Sequence, residues 1–220
     1  MILGPLLLLA GVLLRMQFHF FFPQQLAAFQ ENPHLIAASY GCFLAGNIAM
    51  WPAIATLARL IGLAKPGWAL WGGSLAMFGL FARTFHGGVD HLAFQLVRLQ
   101  GLELATKTVA DSYGAFHVVS GLNATVLFGW IVLAAGAYFA GTLGLLRSIA
   151  LGLMAALMTG VLKGSSAMSL VCVAGLCSAL VPLGITVLRE PPIPGAPIFA
   201  GWFALLIGFV ALLFYIGQLG

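Results

Sequence analysis

Arg83, His86, Asp90 and His91 fall within one short stretch, Arg83-Thr-Phe-His-Gly-Gly-Val-Asp-His-Leu-Ala-Phe, of an otherwise apolar chain. At about 100° per residue, a helix puts Arg83, His86 and Asp90 on one narrow face. His91 flanks that face, and Gly87 and Gly88 leave the backbone beside it uncovered. Downstream, Tyr113 and His117 repeat the one-turn spacing at the head of the next apolar run. A charged stripe on a hydrophobic helix is costly in lipid, so a function at or in the membrane is the default expectation.

These residue types support three chemistries. His86, Asp90, His91 and His117 make a nitrogen and oxygen ligand set for a divalent transition metal such as Zn, Ni, Co or Mn. Without a metal, His86 or His117 acts as general acid or base and Asp90 orients the imidazole. Arg83, with Arg15 near the same membrane face, then clamps a phosphate or carboxylate of a lipid headgroup or polyprenyl phosphate. Catalytic candidates on this reading are Arg83, His86, Asp90 and His117. A haem held axially by His86 and His117 is the other cofactor expectation. Against all three stands a structural role, in which the polar side chains settle a helix end and Arg15 snorkels to the headgroups. No serine-hydrolase elbow, phosphate loop, HExxH or DxxD pattern is present, so an enzymatic reading rests on residue type and location alone.

Composition sets the frame for these residues. The chain has 220 residues, 62% hydrophobic and 6% charged, with a mean hydropathy of +1.09. Soluble domains carry about 25% charged residues, so this composition predicts an integral membrane protein. A net charge of +4 over nine Lys and Arg is too sparse for nucleic-acid binding. It suits the positive flanks of membrane helices. Cys42, Cys172 and Cys177 lie inside apolar runs without metal-finger spacing and read as small buried hydrophobes. The N-terminal run has neither a basic start nor a small-residue cleavage site, so it is expected to stay as a first membrane helix.

Apolar runs long enough to span, about 20 residues each, recur seven times. They lie near 2–22, 35–60, 67–92, 113–140, 144–162, 167–188 and 197–217. The expected fold is therefore an all-α polytopic bundle of seven transmembrane helices, forming a single domain over 1–220. Residues 23–33 and 100–111 read as polar links. With the N-terminus in the cytoplasm, Arg59, Lys65, Arg147 and Arg189 gather on the inside, so the chain is expected N-in, and a bacterial inner membrane is its expected location.

Alternation of seven helices brings the C-terminal ends of runs 1 and 3 to the same side as the N-terminal ends of runs 2 and 4. His19, His34, His86, His91 and His117 then collect at one membrane face, the non-cytoplasmic one. Tyr40, Asn47, Ser120 and Asn123 are expected to hydrogen-bond between helices. Runs 5–7 carry small-residue seams such as Gly152, Ala156 and Gly160, and Gly129 with Gly136 gives run 4 another. Runs 5–7 are expected to be scaffold, or a surface for a homo-oligomer or larger membrane complex. Membrane lipids are the other expected partners.

The segment His86-Gly-Gly-Val-Asp90-His91-Leu92 resembles the His-x4-Asp-His stretch of nickel/cobalt permeases, one residue shorter. It also resembles the Gly-x-Asp-His-Leu of small hydrogenase- and urease-associated nickel transporters. The resemblance covers about a dozen residues and sits here in the third run, where those families have it in an early helix. It implies His86, Asp90 and His91 as metal ligands and transport as the activity. A permease also needs polar residues through the whole bundle, and runs 5–7 offer little beyond Thr142, Ser148 and Thr159. The first expectation is therefore a metal-binding membrane protein, for metal transport or for metal-dependent chemistry on lipid at one membrane face. A metal-free enzyme acting on a lipid or isoprenoid by His/Asp acid–base chemistry is the second, and a non-catalytic subunit of a membrane complex the third.

Overall fold

A computed structural model of the chain describes residues 1–19, 21–112, 118–159, 166–190 and 195–218. Among them all regular structure is helical. Among the described residues three helical stretches, Pro33–Gly62, Val118–Phe139 and Ala167–Arg189, are long and apolar enough to cross a bilayer. The chain divides into two compact units, Met1–Gly184 and Ile185–Gly220. The second holds helix α9, Ala196–Gln218, where the last apolar run is expected.

The first unit departs from the expected layout at both of its presumed links. Run 1 is not one spanning helix: α1 covers only Leu3–Leu14. Twelve residues rise about 18 Å, well short of a hydrocarbon core of about 30 Å. Beyond it the chain tightens into short turns, with Arg15 N–H bonded to Val12 O and Phe18 N–H to Arg15 O. The polar link at 23–33 holds a helix, α2 (Gln24–Glu31), and the link at 100–111 is another, α5 (Leu102–Ser112). Run 5 is likewise broken, with α7 (Leu145–Gly152) passing into a 3₁₀ stretch, Leu153–Thr159.

Between these lie the long helices α3 (Pro33–Gly62), α4 (Pro66–Gln100) and α6 (Asn123–Phe139), then α8 (Ala167–Arg189). Pro33 and Pro66 stand in the first turns of their helices, where the missing N–H has no partner to lose. Gly101, at φ 82°, ends α4 in a conformation that a side chain disfavours.

Helices α1, α3, α4 and α6 run alternately up and down. The glycine contacts show this: Gly4 faces Met50 while Gly11 faces Phe43, and Gly72 faces Leu133 while Gly79 faces Val126. At Gly129 the approach is closest, since a Cβ there would lie 2.5 Å from Ala76 N. Gly72 and Gly79 on α4, with Gly129 and Gly136 on α6, let the two backbones touch over two helical repeats. The Gly129/Gly136 seam is thus spent inside the chain, against α4.

The buried apolar residues form two clusters. The larger joins α1, α3, α4, α6 and α8 through residues such as Leu8, Met50, Leu80, Trp130 and Leu176. The smaller is built from α2, α5 and the neighbouring ends of α3 and α4, around Leu26, Phe29, Ile36, Phe94, Val97 and Ala105. Helix α4 serves both, with Ala76 and Leu80 in the first and Phe94 and Val97 in the second. Its residues between them, Arg83 to Asp90, are the polar stripe.

Candidate polar site between the two cores

Arg15, Arg83, His86 and Asp90 line one cavity with Tyr40, Phe43 and Gly87. Its volume is about 20 Å³, enough for one water-sized group. Arg15 enters from the C-terminal cap of α1, where the partial negative charge of the last carbonyls favours a cation. It is only 2% exposed, and its guanidinium lies 4.5 Å from the centroid of the Phe43 ring. The turn after Leu14 thus folds the side chain into the protein, against Phe43, and not outward as the snorkelling alternative has it. Arg83 lies over the same ring at 5.4 Å. Both contacts are cation–π pairings, which strengthen when the cation is desolvated.

Asp90 is 7% exposed. Gln25 Nε2 donates to its Oδ1 at 3.2 Å, and the Tyr40 hydroxyl donates to its Oδ2. Tyr40 is aimed by Phe94, whose ring meets it edge-on at 5.0 Å and stacks on Phe29 at 4.7 Å. Arg15 and Arg83 are both within electrostatic reach of the carboxylate. Arg83 Nε is buried with no hydrogen-bond acceptor among the described residues. Two guanidiniums, which stay charged in proteins, thus face one carboxylate around one cavity.

His86 is half-buried on the same stripe, its Nε2 3.1 Å from Asn123 Oδ1 at the start of α6. Asn123 and Tyr40 therefore bridge helices as expected. Asn47 does not, because its amide donates to Phe43 O one turn back on its own helix at 2.9 Å. Ser39 makes a bridge instead, donating to Gly11 O across the α1–α3 contact at 2.7 Å.

His91 points away from this cavity. It is exposed and lines a second, larger cleft of about 510 Å³ with His34 and Arg98. Tyr40 and Gly87 belong to both spaces. His117 and Tyr113 lie outside the described residues. Among the described residues no three His, Cys, Asp or Glu side chains come together as a metal-binding group. The described histidines do converge on one end of the bundle: His19 follows α1, His34 opens α3, and His86 and His91 occupy the second half of α4.

Gln25 and Phe43 are the site residues that reading the sequence missed. The signal for Gln25 is faint but present, since Gln25, Leu26 and Phe29 share the buried face of a one-segment amphipathic helix. No family model, no curated protein and no solved structure matches the chain.

Proposed function

We propose that this chain is a multi-pass membrane protein whose Arg15–Arg83–Asp90 layer binds one oxygen of the anionic, phosphate-bearing headgroup of a membrane lipid or isoprenoid. His86 is placed to move a proton there. One observation carries the reading: the buried Arg15 and the half-buried Arg83 share a cavity with a single carboxylate among the described residues, leaving an excess positive charge in a poorly solvated place. Such a site favours an anion, and Arg offers it paired donors. The rise of α4 puts Asp90 about 36 Å from Pro66, near the far interface of a bilayer entered at Pro66. In this reading all seven apolar segments enter the bilayer, with α1 and the α7 segment reaching only part of its depth. The N-terminus is cytoplasmic in a bacterial inner membrane and the site faces the other side.

Thermal melting of the detergent-purified chain tests this. Short-chain phosphatidic acid should raise the melting temperature of the wild type more than short-chain phosphatidylcholine does. At a hundred times its dissociation constant a ligand adds about 2.7 kcal/mol. Arg83→Gln should lose most of the difference between the two lipids. Equal responses to both lipids, or an undiminished difference in Arg83→Gln, would sink the reading.

A divalent metal remains the second reading, supported by His86 and Asp90 lining one cavity. Elemental analysis and an absorption spectrum, on protein never exposed to chelator, decide between them. We expect neither stoichiometric metal nor a Soret band. A metal near one per chain, lost in His86→Ala, would replace lipid-headgroup binding with metal binding.

A further inference from the structure

The cleft beside the inner cavity has a composition that the headgroup reading does not itself require. His34, His91 and Arg98 line it, together with Phe94 and Leu44, and no Asp or Glu is among its lining residues. It is open between α3 and α4 near the end of the bundle where the histidines converge. Its volume of about 510 Å³ lies in the range of roughly 300–1,000 Å³ typical of sites that enclose small molecules. Its lining combines aromatic and aliphatic side chains with Arg98, two histidines and neutral polar groups. That pairing matches an amphiphile with a negative headgroup and an apolar tail.

Only Tyr40 and Gly87 are common to cleft and inner cavity. Tyr40 is held by its bond to Asp90. Gly87 carries no side chain, and a Cβ added there would lie 3.0 Å from Leu44 Cδ1, the tip of a cleft residue. The absent side chain at position 87 therefore keeps the wall between the two spaces thin.

We infer that the cleft is where an anionic membrane lipid docks from the bilayer, and that it reaches the Arg15–Arg83–Asp90 layer past Tyr40 and Gly87. The inference rests on the headgroup reading and adds the route and the selectivity. Arg98 holds the headgroup by charge and the two histidines by hydrogen bonds, and the thin wall at Gly87 admits its leading oxygen atom.

The test uses the full chain reconstituted in nanodiscs of phosphatidylcholine doped with a photoactivatable phosphatidic acid. Labelled peptides are mapped by mass spectrometry. Wild type should be labelled on the start of α3 and the second half of α4. Arg98→Gln, a change at an exposed position, should reduce that labelling on the order of fivefold to tenfold, as loss of one charge-assisted contact does. Gly87→Leu should keep the labelling but lose the extra thermal stabilisation by phosphatidic acid. Gly88→Leu, where a Cβ has nothing within 4 Å, should keep both.

Labelling spread evenly around the bundle, or Gly87→Leu behaving like Gly88→Leu, would overturn the inference. Should Gly87→Leu fail to fold, the Arg98→Gln labelling decides alone. The two proposals fail separately. Cleft labelling with an Arg83→Gln variant that still responds as wild type retains the dock and removes the inner headgroup site. Even labelling with an unresponsive Arg83→Gln does the reverse.

Discussion

Asp90→Ala should be the most damaging side-chain truncation in the chain, costing about 3–5 kcal/mol. The carboxylate is the buried negative charge facing Arg15 and Arg83, and it also receives the Tyr40 hydroxyl and the Gln25 amide. Truncation leaves two guanidiniums under a core without their counter-charge and strips two donors of their acceptor. Against a total stability of about 5–15 kcal/mol, such a loss removes a large fraction of the folded protein. Size-exclusion profiles and melting curves in mild detergent would show it as a collapse in monodisperse yield. Asp90→Asn keeps the shape and an acceptor for Tyr40, so its loss should be intermediate. Removing a second charge should help: Asp90→Ala with Arg83→Met is expected to recover part of the stability, because an apolar replacement of both partners leaves less buried charge unmatched. An Asp90→Ala variant as stable as wild type would show that the layer is not held by charge.

Gly129→Ala is the second large effect, and its cause is steric. The new methyl would meet Ala76 N at 2.5 Å and Leu75 C at 2.6 Å, both backbone atoms. No rotamer change can relieve that clash, so α4 and α6 must part. Overpacking of this kind costs about 1–3 kcal/mol and at times more. Gly88→Ala provides the contrast, since it sits in the same helical setting with open space around it. There the substitution should be neutral or stabilising by up to about 1 kcal/mol, through helix propensity. Melting temperatures of the two variants should therefore move apart. If Gly129→Ala melts with wild type, the helices do not approach as closely as this. The damage should extend to the site as well, because the same contact brings Asn123 opposite His86.

How far the sequence could be read depended on how each segment is buried. Helices α3, α8 and α9 are predominantly apolar, and their extents follow from hydropathy alone. The first run misleads because Phe18 and Phe22 extend its apolar character past Arg15. Those aromatics pack against the second core instead of continuing a helix. Helices α2 and α5 were hidden for the opposite reason: each is short and polar, and buries a single face, as Ala105 does with Leu102 and Val109 beside it. At the site, the stripe of Arg83, His86 and Asp90 was legible because one helix carries it. Its partners were not, because Arg15, Gln25, Tyr40 and Asn123 arrive from four other segments. Their meeting is set by close helix packing and by the smaller core around α2 and α5. His91 shows the limit of the periodicity argument, since a residue adjacent to Asp90 in sequence turns about 100° away and faces a different space.

The sharing of α3 and α4 between both cores has a mechanical consequence. Two uninterrupted antiparallel α-helices that each anchor both apolar bodies act as a pair of rods, so neither body can turn about one of them alone. Ile36 and Phe43 on the first rod, with Phe94 and Leu80 on the second, tie the two cores together. Arg83 and Asp90 ride on the second rod, whereas Arg15 follows α1 in a non-helical turn. Arg15 is therefore the one charge of the layer that neither rod holds, and a load on that turn would be felt there as a change of charge spacing.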